Sequence, residues 1–298
     1  MTRVFVVGNA VSDVTLKVRR FPRPGESVLA ESIVRAPGGK GLNQAVAAQR
    51  AGASVVFVSA LGTDATASEI ENALRREGFA DLRLLKPVHD TDVSILTVTV
   101  DGENAIVTTV ACTQASRPEN LTALLYDLRR DDYVLMQGNL SMRTTHAVVD
   151  FARARGAKIV INAAPWHWDG TAILEKCEGV IANEGEMCEI HGPGDVQGSA
   201  AWLRGRGPRW VIVTLGANGC LVSSESGTLP VAGHPASVTD TSGAGDVFSG
   251  VLVASLARGR SLTDAIHAGQ KAAAIAVARA GTYAAIPSIE EMAHIAEG

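Results

Sequence analysis

The sequence predicts an α/β fold with a mostly parallel central sheet and a small antiparallel lid. Three observations carry this. Short apolar runs recur along the chain, as buried parallel strands do. Helical patterns lie between most of them, several ending in glycine. Two segments break the rhythm by alternating apolar and polar residues, which suits strands with one wet face.

Taken in order, "RVFVVG" at 3–8 is the first buried strand. The stretch 13–39, "DVTLKVRRFPRPGESVLAESIVRAPGG", is the first alternating segment. A helix follows in "GLNQAVAAQRAGA", then the strand "SVVFVSALG" at 54–62 and the helix "ATASEIENALRREG". The second alternating segment, 91–111, carries "DGEN" as a hairpin turn. Strands at 132–138, 158–164, 179–184 and 210–216 come next, with helices in "MRTTHAVVDFARARG" and "DVQGSAAWLRGRG". Residues 246–279 are Ala-rich and helical. Strand alternating with helix at this spacing gives a parallel sheet. The lid is expected at about 14–35 and 92–110, inserted in one domain spanning 1–298. Its apolar face needs a cover, either substrate and body or a second subunit.

Composition narrows the function. The chain has 298 residues, 46% hydrophobic and 19% charged, with a net charge of −4. No basic tract appears, so nucleic acid and a polybasic membrane anchor are not expected. The apolar run "VFVV" ends at Gly8, too short for a signal peptide. No apolar run approaches the roughly 18 residues of a membrane span. Cys112, Cys177, Cys188 and Cys220 form no Cys-x-x-Cys pair. Reduced thiols and a cytoplasmic location fit this. The seven histidines are scattered without ligand spacing, so no metal cage is expected. "PWHWDG", 165–170, reads as a surface or packing loop.

Chemistry concentrates at "DTSGAGDVFSG", 240–250. Small residues at a helix mouth let backbone N–H groups converge, and the helix adds its positive end. That makes an anion site. Asp246 beside it is out of place if the site only holds phosphate. It makes sense as a base on a hydroxyl that attacks the phosphate. The simpler reading is an N-cap on an ordinary helix. A second glycine cluster, "PGGKGLNQAVAAQRAGA" at 37–53, also opens a helix. It is no Walker A loop, because Gly41 rather than Ser or Thr follows Lys40.

Together and in this order, the two stretches resemble those of the PfkB-type carbohydrate kinases, the ribokinase-like family. "VGNAVSD" resembles the family's first strand, "FPRPGE" its lid, "ANEGE" its Asn-x-x-Glu element and "TLGANG" its nucleotide loop. The resemblance implies a three-layer ribokinase-like fold with helices on both faces. It implies Asp246 as general base, with Gly243, Ala244 and Gly245 as the anion hole. It places Asp13, Gly39, Lys40, Asn43 and Asn139 at the sugar. Asn183 and Glu186 would organise Mg²⁺, water and phosphates. Thr214 to Gly219, with Gly216 between, would line the ATP site, and Gln270 would lie near the adenine. Asp240, Ser242, Ala276, Arg279 and Gly281 match a loop for a monovalent cation, K⁺. A homodimer through the lid is expected.

Three positions depart from the pattern. Asn139 stands where ribokinases carry a Glu that reaches the sugar; an amide both donates and accepts, whereas a carboxylate only accepts. Ala67 replaces the last glycine of a turn, and Ala285 replaces a hydroxyl residue of the cation loop. The stretch 107–116 also differs. The expected activity is ATP-dependent phosphorylation of a primary hydroxyl on a pentose or related sugar, with ribose first. Alternatives are a ketose, ketodeoxysugar or nucleoside as substrate, or a non-catalytic sugar or nucleotide sensor.

Overall fold

The computed structural model describes all residues except Met1, Ala80, Gly102, 167–169 and Gly298. In chain order its strands are β1 (Arg3–Val7), β2 (Val11–Val18), β3 (Ser32–Gly38), β4 (Ser54–Ala60), β5 (Asp81–Leu85), β6 (Val93–Thr99), β7 (Asn104–Thr108), β8 (Tyr133–Gln137), β9 (Lys158–Asn162), β10 (Gly179–Asn183), β11 (Trp210–Thr214), β12 (Cys220–Ser224) and β13 (Gly227–Val231). Nine of them form one sheet in the order β13-β12-β11-β10-β9-β8-β1-β4-β5. Pairing from β5 through β11 is parallel, and β12 and β13 add antiparallel at one edge. The β1 register sets Val4 opposite Val55 and Tyr133.

The two faces of β1 show why helices cover both sides. Val4 and Val6 pack into one core with the helices Lys40–Arg50, Ala244–Ala257 and Leu262–Val277. Phe5 and Val7 pack into the other, with Met142–Ala154 and Val196–Arg204. Side chains alternate along a strand, so an unbroken apolar run serves two cores at once. This is the three-layer arrangement that the resemblance implied.

Strands β2, β3, β6 and β7 form the lid in the order β3-β2-β6-β7. Its outer pairs are antiparallel, while β2 and β6 run parallel and join the two halves. The lid begins earlier than expected, with β2 at Val11, and so Asp13 lies on a lid strand. The β6–β7 hairpin is closed by Thr99 N–H donating to Glu103 O at 2.9 Å. Gly102 of its "DGEN" turn lies outside the described residues, as does the centre of "PWHWDG".

Two helices converge closely. A Cβ on Gly250 would lie 2.4 Å from Gln44 O and 2.8 Å from the Ala47 Cβ. Only glycine permits that approach of Ala244–Ala257 to Lys40–Arg50. One turn back along each helix stand Asp246 and the pair Asn43 and Gln44. The glycine contact therefore fixes the distance across which they meet.

Candidate active site

Gln137, Asn162, Asn183 and Thr214 are the last residues of β8, β9, β10 and β11. Four polar side chains thus line the carboxyl edge of the sheet, where open α/β folds bind ligands. Gly243, at φ 77, caps the helix Ala244–Ala257, whose first residues Ala244 and Gly245 line a cavity together with Asn183 and Thr214 of this edge. Asp246 lies in the first turn and is only 5% exposed.

The Asp246 carboxylate is held by two amides. Oδ1 accepts from Gln44 Nε2 at 2.9 Å, and Oδ2 from Asn43 Nδ2 at 3.4 Å. Gln44 itself is fully buried. Its Nε2 also donates to Asn162 Oδ1 at 3.0 Å, and its Oε1 accepts from Gln137 Nε2 at 2.7 Å. An amide relay therefore runs from the ends of β8 and β9 to the carboxylate. Sequence reasoning missed Gln44, Gln137 and Asn162. For Gln137 and Asn162 the readable signal was a polar residue closing an apolar strand run.

Asp13 is 7% exposed, and its Oδ2 accepts from Thr282 Oγ1 at 2.7 Å. Burial pushes its carboxyl up to about 6, and the negative charge of Asp246 adds to this. The Lys40 ammonium lies within electrostatic reach of both Asp13 and Glu186. Gly39, at φ 96, caps the helix that Lys40 opens. Among the described residues, the amide oxygens Asn43 Oδ1 and Asn139 Oδ1 are buried without a hydrogen-bond partner. Native proteins seldom leave such acceptors empty.

The Asn-x-x-Glu element forms a capping box. Glu186 N–H donates to Asn183 Oδ1 and Asn183 N–H to Glu186 Oε2, both at 2.8 Å. Burial raises the Glu186 carboxyl above its ordinary value. Next to it opens a cavity of about 680 Å³, lined by Asn183, Thr214, Gly216, Gly219, Ala244, Gly245 and Gln270. The structure thus joins the glycine-rich helix end to the residues expected at the nucleotide. It adds the segment from Gly233 to Val238, which sequence reasoning did not single out. Gln270 Nε2 contacts Cys220 Sγ at 3.7 Å, and its buried Oε1 has no partner among the described residues.

Residues expected to form a cation loop also lie together. Asp240 Oδ1 accepts from Ser242 N–H and Oδ2 from Gly281 N–H, each at 2.9 Å. Ala276 O accepts from Arg279 N–H at 3.0 Å. The Arg279 guanidinium turns away to pair with Glu291, leaving only its backbone for the loop. Ala285 is buried and offers no oxygen on its side chain.

The sequence profile described as "pfkB family carbohydrate kinase" matches residues 1–289. The chain belongs to this family of carbohydrate kinases. The kinase is 30% identical over 292 residues to a ribokinase of Haemophilus influenzae, covering 96% of this chain and 95% of that one. The ribokinase structure of Thermotoga maritima superposes with a TM-score of 0.91 at 26% identity, covering 100% of both chains. A ribokinase of Cryptococcus neoformans var. grubii serotype A, in complex with ADP, superposes with a TM-score of 0.83 at 26% identity and covers 99% of each chain.

Proposed function

We propose that this kinase transfers the γ-phosphoryl group of ATP to a primary hydroxyl of a pentose or related sugar, ribose first. The observation that carries it is the placement of Asp246. A buried carboxylate, oriented by two amide donors, sits on the helix end that opens into the nucleotide cavity. Asp246 takes the hydroxyl proton as the sugar oxygen attacks phosphorus, and ADP leaves. Base catalysis of this kind contributes roughly 10²–10⁴-fold in rate. The N–H groups of Ala244 and Gly245 stabilise charge on the transferring group.

Asp13 accepts from the sugar hydroxyls. Asn43 Oδ1 and Asn139 Oδ1 lack partners, and hydroxyl donors satisfy them. Lys40, close to both carboxylates, neutralises phosphate charge. The lid strand carrying Asp13 closes over the sugar and excludes water.

Among the described residues no three His, Cys, Asp or Glu side chains cluster to hold a metal ion. Mg²⁺ keeps several waters and binds through one or two carboxylates plus phosphates. Glu186 would hold it with Asn183, and bound Mg²⁺ would neutralise charge on the nucleotide phosphates. K⁺ fits the carbonyl-rich loop at Asp240, Ser242, Ala276, Arg279 and Gly281 through backbone oxygens. Ala285 leaves that site one ligand short of the family's pattern. Ile33, Val34, Ile106 and Val107 stand exposed on the lid, which supports a homodimer there.

A coupled ADP-release assay tests the proposal, with Mg·ATP and K⁺ against D-ribose, 2-deoxyribose, fructose, ketodeoxygluconate and adenosine. D-ribose giving the fastest turnover supports the reading and makes Asn139 a tolerated exchange. A different winner assigns the exchange to substrate choice. Nucleotide or sugar binding without turnover of any of them favours the sensor.

A further inference from the structure

Thr282 has no part in the site as the family pattern describes it. It nevertheless touches two of its components and follows a residue bound to a third. Its Oγ1 donates to Asp13 Oδ2 at 2.7 Å. The preceding Gly281 N–H is bound by Asp240, whose other oxygen holds Ser242 N–H. Gly243, which caps the anion-binding helix, packs so tightly that a Cβ there would lie 3.3 Å from Thr282 Cα.

The opposite wall of Asp13 is equally close. A Cβ on Gly38 would lie 2.1 Å from the Asp13 carboxylate carbon. Gly38 belongs to β3, which pairs with the strand carrying Asp13. Ser94 on β6 also reaches the carboxylate. The lid therefore surrounds Asp13 on its own side, and Thr282 is the contact from the body. The Thr282 hydroxyl thus ties the lid's Asp13 to a residue that packs against the N-cap of the helix Ala244–Ala257.

We propose that Thr282 is a positioning residue for the sugar, fixing the Asp13 carboxylate against the loop that carries the anion-binding helix end. One carboxylate oxygen is occupied by the threonine hydroxyl, which sets the direction in which the group's remaining lone pairs face. The sugar is then registered to the same loop that registers the phosphoryl group. This inference rests on the sugar-kinase reading above, because it takes Asp13 to bind sugar.

The test compares Thr282→Val, which removes only the hydroxyl, with Thr282→Ser, which keeps it. The ligand is the sugar of the panel above that is turned over fastest. Calorimetry without nucleotide gives its Kd, and steady-state kinetics give kcat and both KM values. Thr282→Val is expected to raise sugar Kd and KM about tenfold, as the loss of one charge-assisted hydrogen bond does. ATP KM and kcat should stay within about threefold. Thr282→Ser should restore sugar binding. Thr282→Ala should repeat the sugar-specific loss, which covers the case of a valine variant that does not fold. Sugar binding unchanged in Thr282→Val or Thr282→Ala overturns the inference alone. So does an equal loss in both substrates and kcat, or failure of serine to rescue. A wild-type protein that binds no sugar overturns the sugar-kinase reading and this inference with it.

Discussion

Replacing Asp13 with asparagine should stabilise the fold while weakening sugar binding. The carboxyl of Asp13 is pushed from 3.8 to about 6, first by burial and then by the charge of Asp246. A group whose folded value is raised favours folding in its protonated form. That contribution is full below pH 3.8 and is lost as the pH rises through 6. Above pH 6 the ionised Asp13 therefore costs stability. A shift of about two units at 1.36 kcal/mol per unit sets that cost at about 3 kcal/mol. Asparagine carries no charge, and its Oδ1 can still accept from Thr282 Oγ1. Denaturant unfolding at pH 8 should show Asp13→Asn more stable than wild type by up to about 3 kcal/mol, less any cost of the amide. At pH 4 the gain should fall below about 1 kcal/mol. Equal effects at both pH values would refute the reasoning, because the charge would then not be the source. Sugar KM should rise in the same variant, since a neutral amide replaces the charged acceptor.

Two further outcomes follow from the geometry. Gln44→Leu orphans Asp246 Oδ1, Asn162 Oδ1 and Gln137 Nε2 together. It should lower stability by about 3 kcal/mol and kcat by roughly tenfold or more, with ATP KM unchanged, as read by melting and initial rates. The lid face should hold two copies together. Light scattering at micromolar concentration should give a dimer, and Val107→Asp, at a position 72% exposed, should give a monomer. A wild-type monomer would remove the dimer proposal.

The fold was legible where apolar runs were long enough to serve two cores. All six strands read from such runs are present. The strands β5, β12 and β13 were not, because "DLRLL", "CLVSS" and "GTLPV" lie toward the sheet's edges and lack an unbroken buried apolar run. Arg83 in β5 is buried against Asp81 and Asp127, so its charge masked a strand position. The parallel β2–β6 pairing was also hidden, since it joins segments far apart in the chain. At the site, the two glycine-rich helix starts were readable because their composition is unusual. The relay through Gln44, Gln137 and Asn162 was not, because no spacing in sequence shows that three separate elements meet at one carboxylate. Thr282 was missed for the same reason. Its partner lies 269 positions away along the chain.

The central claim is that Asp246 removes the proton from the attacking hydroxyl. The most direct measurement is Asp246→Asn, with sugar affinity by calorimetry and phosphoryl transfer by ADP release in one preparation. Sugar Kd should stay within about threefold of wild type, and kcat should fall by roughly 10²–10⁴-fold. A variant that keeps full kcat would contradict the base assignment.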